Sequence, residues 1–198
     1  MTTETLPLDP VSYELDEIDN DRGFQSQSSA LQIEGRTGNR WGLHASFMTD
    51  TAARRRSFDG MLAAVKGRRN RIKFILPGYT PAGSAGGTPL LNGANSAGAT
   101  SISVKGLALS TSGIWLAGDY VTIGNQLVQL AGDLDSDGSG NGSVGIWPEL
   151  HQNYSDGDSI EVAAPYGIFF QASPAKRPEN DDPHASTRSL MLEEDVLA

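Results

Sequence analysis

Four groups of residues have the types and spacing that could do chemistry. The first is DLDSDGSGNGSV, beginning at Asp133. Asp133, Asp135, Asp137 and Gly138 match the opening of a calcium-binding loop, with oxygen ligands at alternate positions and a glycine where the chain turns sharply. Val144 stands where a bidentate glutamate should close such a loop, and no helical pattern flanks the segment. The expected reading is therefore a polar hairpin tip. The second group is the three histidines, His44, His151 and His184, which are scattered without metal-ligand spacing. The third is Trp115, Trp147 and Tyr154, rings that could stack sugars if they lined a groove, or fill a core if they did not. The fourth is basic: eight of the fifteen Lys and Arg residues fall between Arg54 and Lys73.

No nucleophile elbow, phosphate-binding glycine loop or HExxH pair occurs, and the chain has no cysteine. That removes thiolate chemistry, cysteine zinc sites and disulfides together. Carboxylate pairs such as Asp156 and Asp158 lie among breakers, with no opposing face to make an acid–base couple. The expectation is a protein with no catalytic residues, no metal and no cofactor.

The net charge of −9 repels phosphate backbones, so specific nucleic-acid binding is not expected. The basic cluster lacks the interleaved aromatics of a single-strand binder. It reads as a solvated face or a contact with an acidic neighbour. The obvious neighbour is the N-terminal arm, which holds seven acids and one base in residues 1–23, either in the same chain or in another copy. The candidate inter-subunit contacts are Arg54, Arg55, Arg68, Arg69 and Arg71. The N-terminus has no apolar run, so no signal peptide, no membrane span and synthesis in a cytoplasm are expected.

The elements that would position these groups are mainly strands. With 23 glycines, 10 prolines and many short apolar runs, the chain is expected to be mainly β. Val11, Tyr13 and Leu15 alternate as a short strand within an otherwise flexible arm. Leu31 and Ile33, then Trp41, Leu43, Ala45 and Phe47, read as a hairpin turned at RTGN. One helix is expected, capped by Thr49 or Asp50, with Phe58, Met61, Leu62 and Val65 on one face and Gly67 at its C-terminus. A strand through Ile72, Phe74 and Leu76 follows.

Residues 77–99 are full of breakers and read as a linker or a long loop. Beyond them come Ile102 and Val104, a hairpin of Tyr120, Thr122, Leu127 and Leu130 turned at Gly124-Asn125, then Val144, Ile146, Ile160 and Val162. About five short strands of this kind fit a small barrel of the OB type, or a small sandwich. GIFFQAS and a last strand near 187–193 close the chain. The expected fold is a β-sandwich with one α-helix, formed by residues 1–80 together with 165–198, and interrupted by an inserted OB-like barrel at 81–164.

The order of these segments carries a resemblance. WLAGDYVTIGNQLVQL, a polar hairpin, then IWPEL and SDGDSIE resemble the distal tail proteins of long-tailed bacteriophages. RWGLHASF, the helix with its GRRNRIKFILP exit and the following GTP loop look like that family's first domain leading into its insert. YGIFFQASP and STRSLMLEEDV look like the return strand and the final S-L-x-L-x-E strand, so the likeness runs from about Gln27 to Val196. It implies a virion structural protein of the tail tip, assembled in the host bacterial cytoplasm. It implies a homohexameric ring joining the tail tube protein to the baseplate hub and tail-tip proteins, with the OB-like insert outside. The rival expectation is a carbohydrate-binding module that grips host glycans through Trp115, Trp147 and Tyr154.

Overall fold

The computed structural model describes residues 2–25, 31–84, 86–174 and 187–197. The chain is mainly β, with one helix and a barrel-like inserted unit. Its first strands are β1 (Thr3–Thr5), β2 (Ser12–Ile18), β3 (Arg22–Gln25), β4 (Leu31–Glu34) and β5 (Arg40–Met48). After the helix α1 (Ala52–Val65) comes β6 (Arg71–Ile75), and the end of the chain supplies β13 (Tyr166–Gln171) and β14 (Thr187–Glu194). These make one six-stranded sheet in the order β1-β6-β13-β14-β5-β2, antiparallel except where β1 lies parallel to β6.

Alternation decides which face is buried. Trp41, Leu43, Ala45 and Phe47 on β5 and Leu190 and Leu192 on β14 point into the core, while His44, Met48 and Met191 point out. The sheet also rolls over on itself. β2 and β6 are four strand spacings apart, about 19 Å in a flat sheet. Yet the rings of Tyr13 on β2 and Phe74 on β6 meet edge to face at 5.6 Å. The two halves of the sheet thus face one another across a shared aromatic core, sandwich fashion.

Two expectations for the N-terminal part are corrected. Residues 3–5 and 12–18 are paired strands at the two edges of the sheet, so this stretch is not a loose arm. Leu31 and Ile33 do not form a hairpin with β5. β4 pairs with β3, and β5 pairs with β2 on one side and β14 on the other. β2 and β5 are the base of one long hairpin whose outer part is the β3–β4 ribbon. The RTGN residues serve as a bend, fastened where the Asn20 side chain donates to Thr37 O at 2.8 Å.

The helix forms where its apolar spacing indicated, with its caps shifted. Thr51 is the N-cap, its hydroxyl accepting from the Arg54 N–H at 3.2 Å, and Asp50 instead pairs with the Arg54 side chain at 2.9 Å. Lys66, with φ 52, takes the left-handed C-cap conformation that Gly67 was expected to supply. Phe58, Met61 and Val65 are buried against the sheet, and Phe58 lies 5.4 Å from Phe47.

The insert holds β7 (Gly87–Leu91), β8 (Ser101–Leu107), β9 (Tyr120–Ile123), β10 (Gln126–Leu130), β11 (Gly142–Trp147) and β12 (Ile160–Glu161), in the order β12-β9-β10-β11-β8-β7. β7 lies inside the stretch expected to be linker, and its Leu91 is fully buried. The two end strands meet at the Leu90–Ser159 bridge, where Leu91 N donates to Asp158 O at 2.9 Å, so the sheet nearly closes. At the other end of β7 a bulge brings the backbones together: a Cβ on Gly106 would lie 2.5 Å from Thr88 O. Only glycine fits there. Among the described residues no helix is long and apolar enough to cross a membrane.

Candidate functional site

The five arginines expected to face a neighbouring copy do not form one patch. Arg71 is a correction: its side chain is 15% exposed and pairs with Asp195, and it also donates to Arg68 O at 2.9 Å. It fastens the end of the chain to β6, which leaves no charge for a neighbour. Arg68 donates to Ala172 O at 2.8 Å, and the Arg68 and Arg71 guanidinium groups sit 5.8 and 5.6 Å from the Phe170 ring. Arg54 is exposed but paired with Asp50, Arg55 is half-buried, and Arg69 is exposed. Among the described residues Asp50 pairs with Arg54 and Asp195 with Arg71, while Asp59 pairs with Arg188.

Of the three rings named for the rival glycan reading, two are closed off. Trp115 is 1% exposed and Tyr154 6%, both inside the barrel core. Trp147 is half-buried and packs edge to face on Trp41, centroids 4.4 Å apart. Stacking a sugar needs an open ring face, which Trp115 and Tyr154 do not offer.

In the aspartate loop each carboxylate closes a different turn. Asp133 accepts from Ala117 N at 2.8 Å and Asp135 from Gly113 N at 2.7 Å. Asp137 accepts from Asn141 N at 2.9 Å and Ser139 N at 2.8 Å, and these amides hold its carboxyl below the usual range. Among the described residues no group of three His, Asp or Glu side chains could hold a metal ion. Calorimetric titration with calcium should accordingly give a dissociation constant no tighter than about millimolar; a micromolar site would show that the turn opens to chelate. His44 is exposed and faces Asp16 at 3.3 Å, while His184 lies outside the described residues.

The concentration of buried polar groups lies elsewhere, at the joint between the six-stranded sheet and the barrel. Asp119, 4% exposed, accepts from Ala82 N at 2.8 Å, Gly83 N at 3.2 Å, Leu116 N at 3.0 Å and the Tyr79 hydroxyl at 3.2 Å. Burial alone would raise its carboxyl; these donors together outweigh that and hold it below the usual range. Burial pushes the Tyr79 hydroxyl up to about 12, so it stays protonated to donate to Asp119 while accepting from Tyr120 N at 2.8 Å. The aspartate of the GDY turn therefore ties the chain entering the insert to the first barrel hairpin.

On the opposite side of that hairpin the joint is held by Trp41, Glu194 and Glu149. Trp41 Nε1 donates to Leu127 O at 3.0 Å. Glu194, 1% exposed, accepts from Leu127 N at 2.9 Å and Trp41 N at 3.3 Å, so one carboxyl bridges the two units. Burial pushes it up to about 8, against the pull of those two donors. Glu149 accepts from Gly38 N at 2.6 Å and Asn39 N at 3.2 Å. Gln126 donates to Glu149 O at 2.8 Å and accepts from His151 N at 2.9 Å, and His151 Nε2 donates to Asn39 O at 2.8 Å. Burial depresses the His151 imidazole below its ordinary value.

Each of these three carboxyls accepts hydrogen bonds from backbone donors of the same chain. Sequence reasoning passed over all three. The available signals were a glycine–aspartate turn and, at Glu194, an acid in phase with the buried Leu190 and Leu192.

The most exposed large apolar side chains of any pair of strands are on the β3–β4 ribbon: Phe24 at 54%, Leu31 at 64% and Ile33 at 62%. No family model matches the chain, and no curated protein matches it.

Proposed function

We propose that the chain is a structural protein of the tail of a long-tailed bacteriophage: a distal tail protein whose copies form a hexameric ring. The ring joins the tail tube protein to the baseplate hub and tail-tip proteins and leaves a passage for DNA. The observation that carries this reading is the use made of the residues behind the resemblance. Asp119 of LAGD, Gln126 of IGNQ, Glu149 of IWPEL and Glu194 of SLMLEE all sit at the joint between sheet and barrel, with their polar atoms committed to groups of the same chain. Buried acids spent in this way fix one unit against another. They suit a rigid ring component better than an enzyme, which needs polar groups free to meet substrate.

The charge supports the same reading. A passage for DNA should not hold phosphates, and a net charge of −9 works against holding them. The insert, a barrel of the OB type on this reading, lies outside the ring. The protein needs no cofactor, nucleic-acid site or membrane, and goes from the host bacterial cytoplasm into the virion tail tip. Sedimentation and negative-stain imaging of the purified chain test it. The expected particle is a six-fold ring with an open centre. A two-fold dimer, or a closed disc with no passage, overturns the reading.

A further inference from the structure

We propose that the inserted barrel sets the direction of the β3–β4 ribbon, through a latch in which Glu149 and His151 hold the ribbon's foot. The latch lies within one chain and goes beyond the ring reading: it holds whether or not copies assemble.

The ribbon does not take its direction from packing. β3 and β4 pair with each other and with no other strand, and every residue of both is exposed. Nor is it a stiff continuation of β2 and β5. Their ladder runs from Ser12–Ser46 to Ile18–Arg40, and pairing resumes only at Arg22–Glu34. Between these pairs residues 19–21 on one leg lie against 35–39 on the other, three against five. Unequal legs interrupt a ladder and bend the hairpin, as a bulge does. At the bend Gly38, with φ 105, takes a backbone conformation that side chains disfavour. The legs are tied to each other. Asn20 N donates to Asn39 Oδ1 and Asn20 Nδ2 to Thr37 O, both at 2.8 Å, and Arg36 N donates to Asp21 Oδ1 at 2.9 Å. These bonds keep the foot in one piece and leave its tilt against the body to be set from outside.

The barrel supplies that setting. One carboxylate oxygen of Glu149, Oε1, accepts from both Gly38 N and Asn39 N, at 2.6 and 3.2 Å. His151 Nε2 donates to Asn39 O at 2.8 Å, so Asn39 is held at its N–H and at its carbonyl. Both holding residues are braced inside the barrel. Gln126 Nε2 donates to Glu149 O at 2.8 Å, and Gln126 Oε1 accepts from His151 N at 2.9 Å. Beneath the bend lies a cavity of about 300 Å³, lined by Thr37, Gly38, Gly98, Glu149, His151 and Leu197. With that space beneath it, the foot depends on directional hydrogen bonds more than on close contact. The four residues of β3 span about 13 Å, so a tilt of roughly 25° at the foot moves the far end by roughly 5 Å. Withdrawing Glu149 and His151 therefore frees the ribbon to swing.

The chain has no cysteine, so spin labels can be placed in chosen pairs. Gln32→Cys on the ribbon, Ser57→Cys on α1 and Ser139→Cys on the barrel are all at exposed positions. Dipolar distance measurements on the labelled parent should give one narrow distribution for the ribbon–helix pair. Glu149→Ala should broaden it at least about twofold, as a swing of that size requires, while the helix–barrel pair keeps its width. Glu149→Gln should restore the parent width, because an amide carbonyl oxygen accepts from both N–H groups as Oε1 does. His151→Phe keeps a ring and removes the donor to Asn39 O. It should broaden the ribbon–helix pair by itself, and it carries the test where Glu149→Ala does not fold. A lower melting temperature with no broadening of the ribbon–helix pair means that Glu149 only stabilises the fold, and overturns the latch. So does a ribbon–helix distribution already broad in the parent, which means that nothing sets the direction. Equal broadening of the helix–barrel pair means that the whole joint has loosened, and overturns it too.

Discussion

Asp119→Ala is expected to cost about 3–5 kcal/mol of stability, among the largest effects of any single substitution outside the hydrophobic core. The carboxylate gathers three backbone N–H groups and one hydroxyl. Alanine leaves these donors facing a space that is almost closed, since Asp119 is 4% exposed. A buried donor without an acceptor loses about 1–3 kcal/mol, and part of that is recovered where a water can enter. For a chain of this size the melting temperature should fall by roughly 10 °C. Asp119→Asn keeps the shape and one acceptor oxygen but replaces the other with a donor, so its loss should be about half as large. The two variants together separate shape from acceptor count. A melting temperature within about 2 °C of the parent for Asp119→Ala would mean that water serves these donors as well as the carboxylate does.

The contrast between Asp119 and the strands around it shows what a sequence can carry. β14 and β5 were legible because their apolar residues alternate over a strand's length and that alternating face is the buried one. α1 was legible for the same reason at helical spacing, while its caps moved by one or two residues because Thr49, Asp50 and Thr51 all have capping chemistry. The 31–47 hairpin failed because two tests of a hairpin, alternation and a turn, were met by segments that pair elsewhere. Leu31 and Ile33 alternate in a ribbon with no buried face, so their pattern carried no information on register. Trp115 and Tyr154 could be read as platform or core with equal chemistry, and only the barrel's closure puts them inside. The joint was least legible. Asp119, Glu149 and Glu194 bind backbone amides, which every residue but proline possesses, so the partners leave no mark in the sequence.

The joint should also make stability depend on pH, through Glu194. Its folded-state value is raised from 4.5 to about 8 because burial opposes the charged form. Between these values the folded chain holds a proton that the unfolded chain has lost. The contribution is therefore fully present below about 4.5 and lost as pH rises through about 8, a span on the order of 3–5 kcal/mol. His151 acts in the opposite sense. Its value is lowered by burial, so it contributes stability above its ordinary value of 6.5 and loses it as the medium becomes more acidic. The two effects oppose one another below pH 6.5, and Glu194 acts without that opposition above it.

Urea unfolding at pH 6.5 and at pH 8 isolates the glutamate. The parent should lose about 2 kcal/mol between them, one proton's worth over that interval. Glu194→Gln carries no titrating group and should lose far less. At pH 6.5 this variant should be the weaker by about 1 kcal/mol, because its amide NH₂ faces one of the two donors from Trp41 and Leu127. The difference should shrink or change sign by pH 8, when the parent has to hold a charge in the same enclosed space. Equal slopes for the two proteins would show that Glu194 is ionised throughout, with the N–H groups of Trp41 and Leu127 sufficient to hold a carboxylate between sheet and barrel. In that case the joint would owe its strength to charge-assisted hydrogen bonds, and Glu194→Gln would remain the weaker protein at both pH values.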